Sequence, residues 1–162
     1  MTSFDAARRT MVDCQLRTFD VSDRAVLAAM AEVPRERYVP DEWVAFPYLD
    51  SNLPFGGGES DRRVLLAPMT LGRLLQALEI QEGEKALDVA GGLGYSSAVF
   101  AAIGARPVLL ESRADLAAGA AERLGSSATV RTGSLKDGAP ADGPFDVILV
   151  NGMVETRPDA LF

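Results

Sequence analysis

Beyond Gly83 the chain alternates short apolar runs with helical segments, and this alternation restricts the fold more than any other feature of the sequence. Residues Ala86–Ala90, Pro107–Glu111, Ala128–Thr132 and Phe145–Val150 read as strands. Tyr95–Ile103 and Ala114–Leu124 read as helices, stopped by Gly104 and Gly125. Apolar strands that alternate with helices of this length predict a parallel sheet with right-handed crossovers and helices on both faces. The fold class is therefore α/β. Gly133–Pro144, rich in Gly, Asp and Pro, is predicted to be a loop, and Glu155–Phe162 the start of a further helix.

The segment before Gly83 has another character. Thr2 or Ser3 can cap a helix running to about Leu16, and Ser22 a second one that Pro34 stops. Asp41 can cap a short helical turn over residues 42–46, and Pro68 opens a helix through Leu78. Between them lies the irregular stretch PYLDSNLPFGGGESDRR. This organisation predicts an N-terminal helical cap with a loop over 1–63, and an α/β domain over 64–162.

Composition removes several kinds of function. A chain of 162 residues can bury about 68–70% of its unfolded surface, so it needs no disulfide or metal to hold a core. It has no histidine and one cysteine, which excludes histidine relays and the usual zinc sites. Cys14 is expected to be a buried or half-buried apolar residue. With 16 basic against 23 acidic residues the net charge is −7, a poor basis for nucleic-acid binding. No secretory signal or apolar span is evident, so no membrane partner is expected and the predicted location is cytoplasmic.

The chemistry concentrates in Ala86-Leu-Asp-Val-Ala-Gly-Gly-Leu-Gly-Tyr95, a strand, a glycine turn and a helix start. Glycines there let a ligand approach the backbone, and the N–H groups opening the helix favour a polar or anionic group. Gly92-Leu-Gly94 lacks the third glycine of a dinucleotide turn. Asp88, just before the glycines, suits instead the ammonium of S-adenosylmethionine. Glu111, ending the second strand, can accept hydrogen bonds from two ribose hydroxyls. A turn aspartate and a solvated strand-end carboxylate are the structural alternatives for these two residues.

Together with MVDCQLR (11–17), VLAAMAEVPRERYVP (26–40), NLPFGGG (52–58), LLAPMTLGRLLQAL (65–78), ALDVAGGLGYSSAVFA (86–101) and FDVILVNG (145–152), the chain resembles the protein-L-isoaspartate O-methyltransferase family. That resemblance implies a Rossmann-like fold with strand order 3-2-1-4, truncated at its C-terminal side. It also implies S-adenosylmethionine as cofactor and methylation of the α-carboxyl of L-isoaspartyl residues in damaged proteins or peptides. Its implied cofactor-binding residues are Asp88, Ala90, Gly91, Gly92, Gly94, Glu111, Ser134 and Leu135.

Three departures from the family pattern bear on activity. Ala90 replaces the first glycine of the turn, and Ser134 replaces an aspartate that meets the adenine amino group. Asp137 could substitute for that aspartate if its loop bends inward. The family's loop hydroxyl falls on Leu66 when the chain is aligned on Pro68, and near Ser60 when aligned on the glycines. Ser60 is thus the candidate catalytic residue, and weak turnover is expected. A non-catalytic binding module and a methyltransferase for another acceptor are the alternative readings. Arg62 and Arg63 are candidates to pair with a substrate carboxylate, and Asn151 to meet the methyl acceptor. Trp43, Phe46, Tyr48 and Tyr95 are aromatic candidates to wall the site. The last strand would be an open edge, expected to be covered by a second copy in a homodimer, by the C-terminal segment folding back, or by residues beyond this sequence, with pairing into a dimer favoured.

Overall fold

The computed structural model describes residues 3–58 and 62–161. Helix α1 (Phe4–Met11) starts at Ser3, whose hydroxyl accepts from the Ala6 amide at 3.3 Å. It passes into a π-helical turn, Val12–Leu16, and a 3₁₀ turn, Arg17–Phe19. Helix α2 (Arg24–Glu32) is capped by Asp23, which accepts from Val26 N at 2.8 Å, and not by Ser22. Just ahead of this cap, the Gln76 carboxamide oxygen accepts from the amides of Ser22 and Asp23, at 2.7 and 2.8 Å. Gln76 lies on α3 (Pro68–Ala77), so one side chain fastens the α1–α2 connection to α3. The turn predicted over 42–46 is a 3₁₀ turn, Asp41–Trp43, between Pro40 and Pro47.

Two short strands, β1 (Leu53–Pro54) and β2 (Val64–Leu65), form an antiparallel pair that the sequence reading missed. At two residues each they carry no readable period. The main sheet contains β3 (Lys85–Val89), β4 (Arg106–Glu111), β5 (Thr129–Thr132) and β6 (Val147–Val150). Its order is β5-β4-β3-β6 and every pairing is parallel, with Asp88 level with Leu109 on one side and Leu149 on the other. This is the expected 3-2-1-4 topology. Helix α4 (Tyr95–Ile103) links β3 to β4, and α5 (Ala114–Leu124) links β4 to β5.

Alternation along the strands sends Ala86, Leu109 and Leu149 into one core with Leu71, Leu75, Val99 and Phe100. That core runs from Met11 to Leu149, so the cap shares it with the α/β part. Phe100 and Val99 are fully buried, each contributing about 1.5–3 kcal/mol. The opposite face presents Leu87, Val89, Val108 and Leu110 to Ala139, Leu135, Phe145 and Leu161. Helices on both faces were expected, but residues 135–145 cover this second face as loop and 3₁₀ turns. Gly138, Pro140, Gly143 and Pro144 explain the lack of a helix there.

The helix expected at Glu155–Phe162 also does not form in the described part, where only Asp159–Leu161 makes a 3₁₀ turn. Pro158 disfavours helical geometry at Arg157. Strand β6 has β3 as its one sheet neighbour among the described residues, and Leu149 on it is buried. No described helix is long and apolar enough to cross a membrane. Cys14 is exposed, contrary to expectation, because it lies on the outer side of the π-helical turn.

Candidate active site at the strand tips

The C-terminal ends of β3 and β6 open into a crevice of about 810 Å³, within the range of small-molecule sites. Ala90, Leu135, Asn151, Arg62 and Arg63 are among its lining residues. Parallel topology explains the position, because ligands of open α/β sheets gather beyond the carboxyl ends of the strands.

Asp88, at the tip of β3, is fully buried. Its Oδ2 accepts from Ser96 Oγ at 2.7 Å and Ser97 Oγ at 2.5 Å, and its Oδ1 accepts from Asn151 Nδ2 at 2.5 Å. The carboxylate therefore ties β3 to the first turn of α4 and to the end of β6. Burial raises its pKa above the usual carboxylate value, against the hydrogen bonds from Ser97, Ser96 and Asn151, which favour the charged form.

The turn that follows is tightly built. Ala90 has φ +57°, a left-handed conformation that costs a side chain about 1–2 kcal/mol. A methyl group on Gly91 would lie 2.7 Å from Leu109, and one on Gly94 2.7 Å from Leu124. At Gly92 it would lie 2.4 Å from the Phe55 ring, so Phe55 rests directly on the turn. Ala90→Gly is expected to stabilise the fold by about 0.5–1 kcal/mol, after allowing for the larger chain entropy glycine loses on folding. Denaturant unfolding reads this; an unchanged or lower midpoint would show that Ala90 is unstrained.

Glu111, at the tip of β4, is also fully buried. Its Oε2 accepts from the Gly92 amide at 3.2 Å, and its Oε1 from the amides of Ser112 at 2.8 Å and Arg113 at 3.0 Å. Arg63 Nε reaches the same Oε1 at 3.1 Å, while Arg63 Nη2 donates to Ser112 Oγ at 2.6 Å. Arg113 Nη1 donates to the carbonyls of Phe55 and Gly56, at 3.2 and 3.0 Å. Phe55 and Gly56, which follow β1, and Arg63, which precedes β2, are thereby tied to Arg113 and Glu111 beside the glycine turn.

The family profile described as protein-L-isoaspartate(D-aspartate) O-methyltransferase matches residues 7–162. The chain belongs to this family. Protein-L-isoaspartate O-methyltransferase of Methylorubrum populi is 39% identical over 160 residues, covering 97% of this chain and 74% of that protein. The enzyme of the same name from Koribacter versatilis is 37% identical over 166 residues, covering all of this chain and 73% of its own length.

Among solved structures, a protein-L-isoaspartate O-methyltransferase superposes with a TM-score of 0.82 at 21% identity, over 94% of this chain and half of that one. A putative protein-L-isoaspartate O-methyltransferase from Plasmodium falciparum, in complex with S-adenosyl-L-homocysteine, superposes at 0.76 with 19% identity. It covers 99% of this chain and 78% of that one. These two likenesses establish the fold: the Rossmann-like methyltransferase sheet.

The structure brings Asp88, Ala90, Gly91, Gly92, Gly94 and Glu111 of this family member to one end of the sheet. Leu135 lines the same crevice, while Ser134 is exposed beside it. Asp137 is exposed and not turned inward. Ser60 lies outside the described residues. Leu65, Leu66 and Ala67 are all buried, so the position aligned on Pro68 presents no side chain to the crevice.

The aromatic candidates divide. Tyr48 is held by Arg8 and Glu36 and is nearly buried, Phe46 is 60% exposed, and Tyr95 is buried against Tyr38. Ser96 and Ser97 were missed as partners of Asp88. Their signal was present, as hydroxyls opening the helix that follows an acidic strand tip.

Proposed function

We propose that the chain transfers a methyl group from S-adenosylmethionine to the α-carboxyl of L-isoaspartyl residues in damaged proteins or peptides. The observation that carries this reading is the family match over 7–162, which falls on a strand–glycine turn–helix unit flanked by Asp88 and Glu111. S-adenosylmethionine is the family's cofactor and supplies an electrophilic methyl group on a sulfonium.

The residues present suit such a group. The Glu111 carboxylate offers two oxygens to a ribose diol once Arg63 gives up its share. Leu135 offers an apolar surface to a base, with Ser134 next to it, and Ala90, which opens the glycine turn, lines the crevice beside them. Asp88 contributes by holding the turn through Ser96, Ser97 and Asn151 rather than by presenting an open carboxylate.

The acceptor carboxylate is already nucleophilic at neutral pH, so the protein's task is alignment, and no histidine is required. Arg62 and Lys136 line the crevice and can attract the acceptor's negative charge. Incubation with methyl-labelled S-adenosylmethionine and paired peptides, one isoaspartyl and one aspartyl, tests the reading. Base-labile label on the isoaspartyl peptide alone is expected, at a turnover below about 1 s⁻¹ because no hydroxyl stands at Leu66. Equal labelling of both peptides, or of neither, would contradict it.

A further inference from the structure

Arg35 is the largest fully buried side chain among the described residues and lies outside the proposed cofactor-binding residues. It sits in the VPRERYVP segment, at the start of a 3₁₀ turn, Arg35–Tyr38. Its Nε donates to the Pro47 carbonyl at 2.7 Å and its Nη2 to the Leu66 carbonyl at 2.9 Å. The guanidinium carbon lies 5.0 Å from the centroid of the Tyr95 ring, the first residue of α4. Burial lowers the Arg35 pKa from its ordinary value and raises that of Tyr95 to about 12.

Burying a guanidinium with two carbonyls and a ring as its partners is costly unless the geometry it enforces is needed. What it enforces is specific. The Leu66 carbonyl belongs to the same peptide unit as the Ala67 amide, and that amide donates to Asn52 Oδ1 at 2.8 Å. One peptide plane is thus gripped at both ends, from below by Arg35 and from the β1 side by Asn52. The gripped peptide directly follows Leu66 and precedes Pro68, which opens α3. Arg35 also lies against Tyr95, which follows the glycine turn immediately. The segment leading into α3 and the residue that follows the glycine turn therefore meet on one buried side chain.

We propose that Arg35 and Asn52 are positioning residues. Together they fix the 66–67 peptide relative to α4, so that the acceptor segment stands at a set height over the cofactor turn. The inference rests on the proposed methyl transfer for its consequence, but the clamp itself is a property of the ligand-free chain. An arginine is required because its planar fork reaches two carbonyls while stacking on a ring, which a lysine ammonium cannot do.

The test uses the full chain with Arg35→Lys, Arg35→Met and Asn52→Ala, the last at an exposed residue whose removal leaves the core untouched. Three readouts are taken: hydrogen exchange at the Ala67 amide, S-adenosylhomocysteine affinity by calorimetry, and kcat and KM for an isoaspartyl peptide. In Asn52→Ala and Arg35→Lys, Ala67 exchange is expected to be at least tenfold faster. Cofactor affinity should stay within about threefold, and kcat/KM for the peptide should fall at least tenfold, mainly through KM. Arg35→Lys should recover less than a third of the loss seen in Arg35→Met.

Parent-level exchange and kcat/KM in Asn52→Ala and Arg35→Lys would overturn the proposal. So would a fall in cofactor affinity that matches the fall in kcat/KM. If the parent chain turns over no isoaspartyl peptide, the methyl-transfer reading fails. Ala67 exchange then decides the clamp: faster in both variants supports it, and unchanged in either overturns it.

Discussion

Replacing Asp88 by alanine is expected to cost the fold about 2–4 kcal/mol, because it strands the hydroxyls of Ser96 and Ser97 and the amide of Asn151 around a buried gap. Those three donors join β3, the start of α4 and the end of β6, so the loss should appear as a lower unfolding midpoint of the whole chain. Asp88→Asn keeps the volume and an acceptor oxygen and should recover at least half of it.

The pH dependence separates the two forms of the carboxyl. Burial holds its folded-state pKa above the unfolded value, so its stabilising contribution is fully present below the unfolded pKa. That contribution is lost as pH rises through the folded pKa. Asn cannot titrate, so the stability difference between Asp88→Asn and the parent should shift in favour of the variant as pH rises from about 4 towards neutrality. A difference that shifts the other way would mean that the three hydrogen bonds outweigh burial and that the charged carboxylate is the stabilising form.

Glu111→Ala is expected to weaken S-adenosylhomocysteine binding by about 1.5–3 kcal/mol, roughly 10- to 150-fold, through loss of the ribose contact. Arg63→Ala should act in the opposite direction. Arg63 holds Glu111 Oε1 at 3.1 Å in a pair whose carboxylate is fully buried, so a ribose must compete with it. Freeing the carboxylate should strengthen binding by about 1 kcal/mol, roughly fivefold. Calorimetry on both variants checks the pair of signs, with Glu111→Gln as the control for packing. Weaker binding in Arg63→Ala would show that the arginine supports the cofactor instead of covering its site.

Legibility in the sequence followed the strength of the local signal. The parallel strands and α4 and α5 stood out because apolar runs and glycine stops repeat at close spacing. Asp88 and Glu111 were readable as a pair for the same reason, since each ends a strand beside the glycine turn. Their partners were not readable. Arg63 reaches Glu111 across 48 positions of chain, and Asn151 reaches Asp88 across 63. Neither leaves a pattern within any window that periodicity can scan.

The cap of α2 is Asp23 and not its neighbour Ser22, since both residue types cap well and a local pattern fixes a helix start only to within a residue or two. Arg35 looked like one charge among several in VPRERYVP, and only packing shows that it is wholly enclosed. Helices on both faces followed from the general strand–helix alternation, yet residues 133–144 read by themselves as a loop, and it is this loop that covers the second face. The glycines and prolines of that loop are the signal that no helix covers the second face.

The most direct measurement of the central claim is a structure of the chain with S-adenosylhomocysteine bound. The ribose hydroxyls are expected within hydrogen-bond distance of both Glu111 oxygens, with Arg63 withdrawn and the adenine against Leu135. A ligand bound elsewhere, with the Arg63–Glu111 pair intact, would contradict the account.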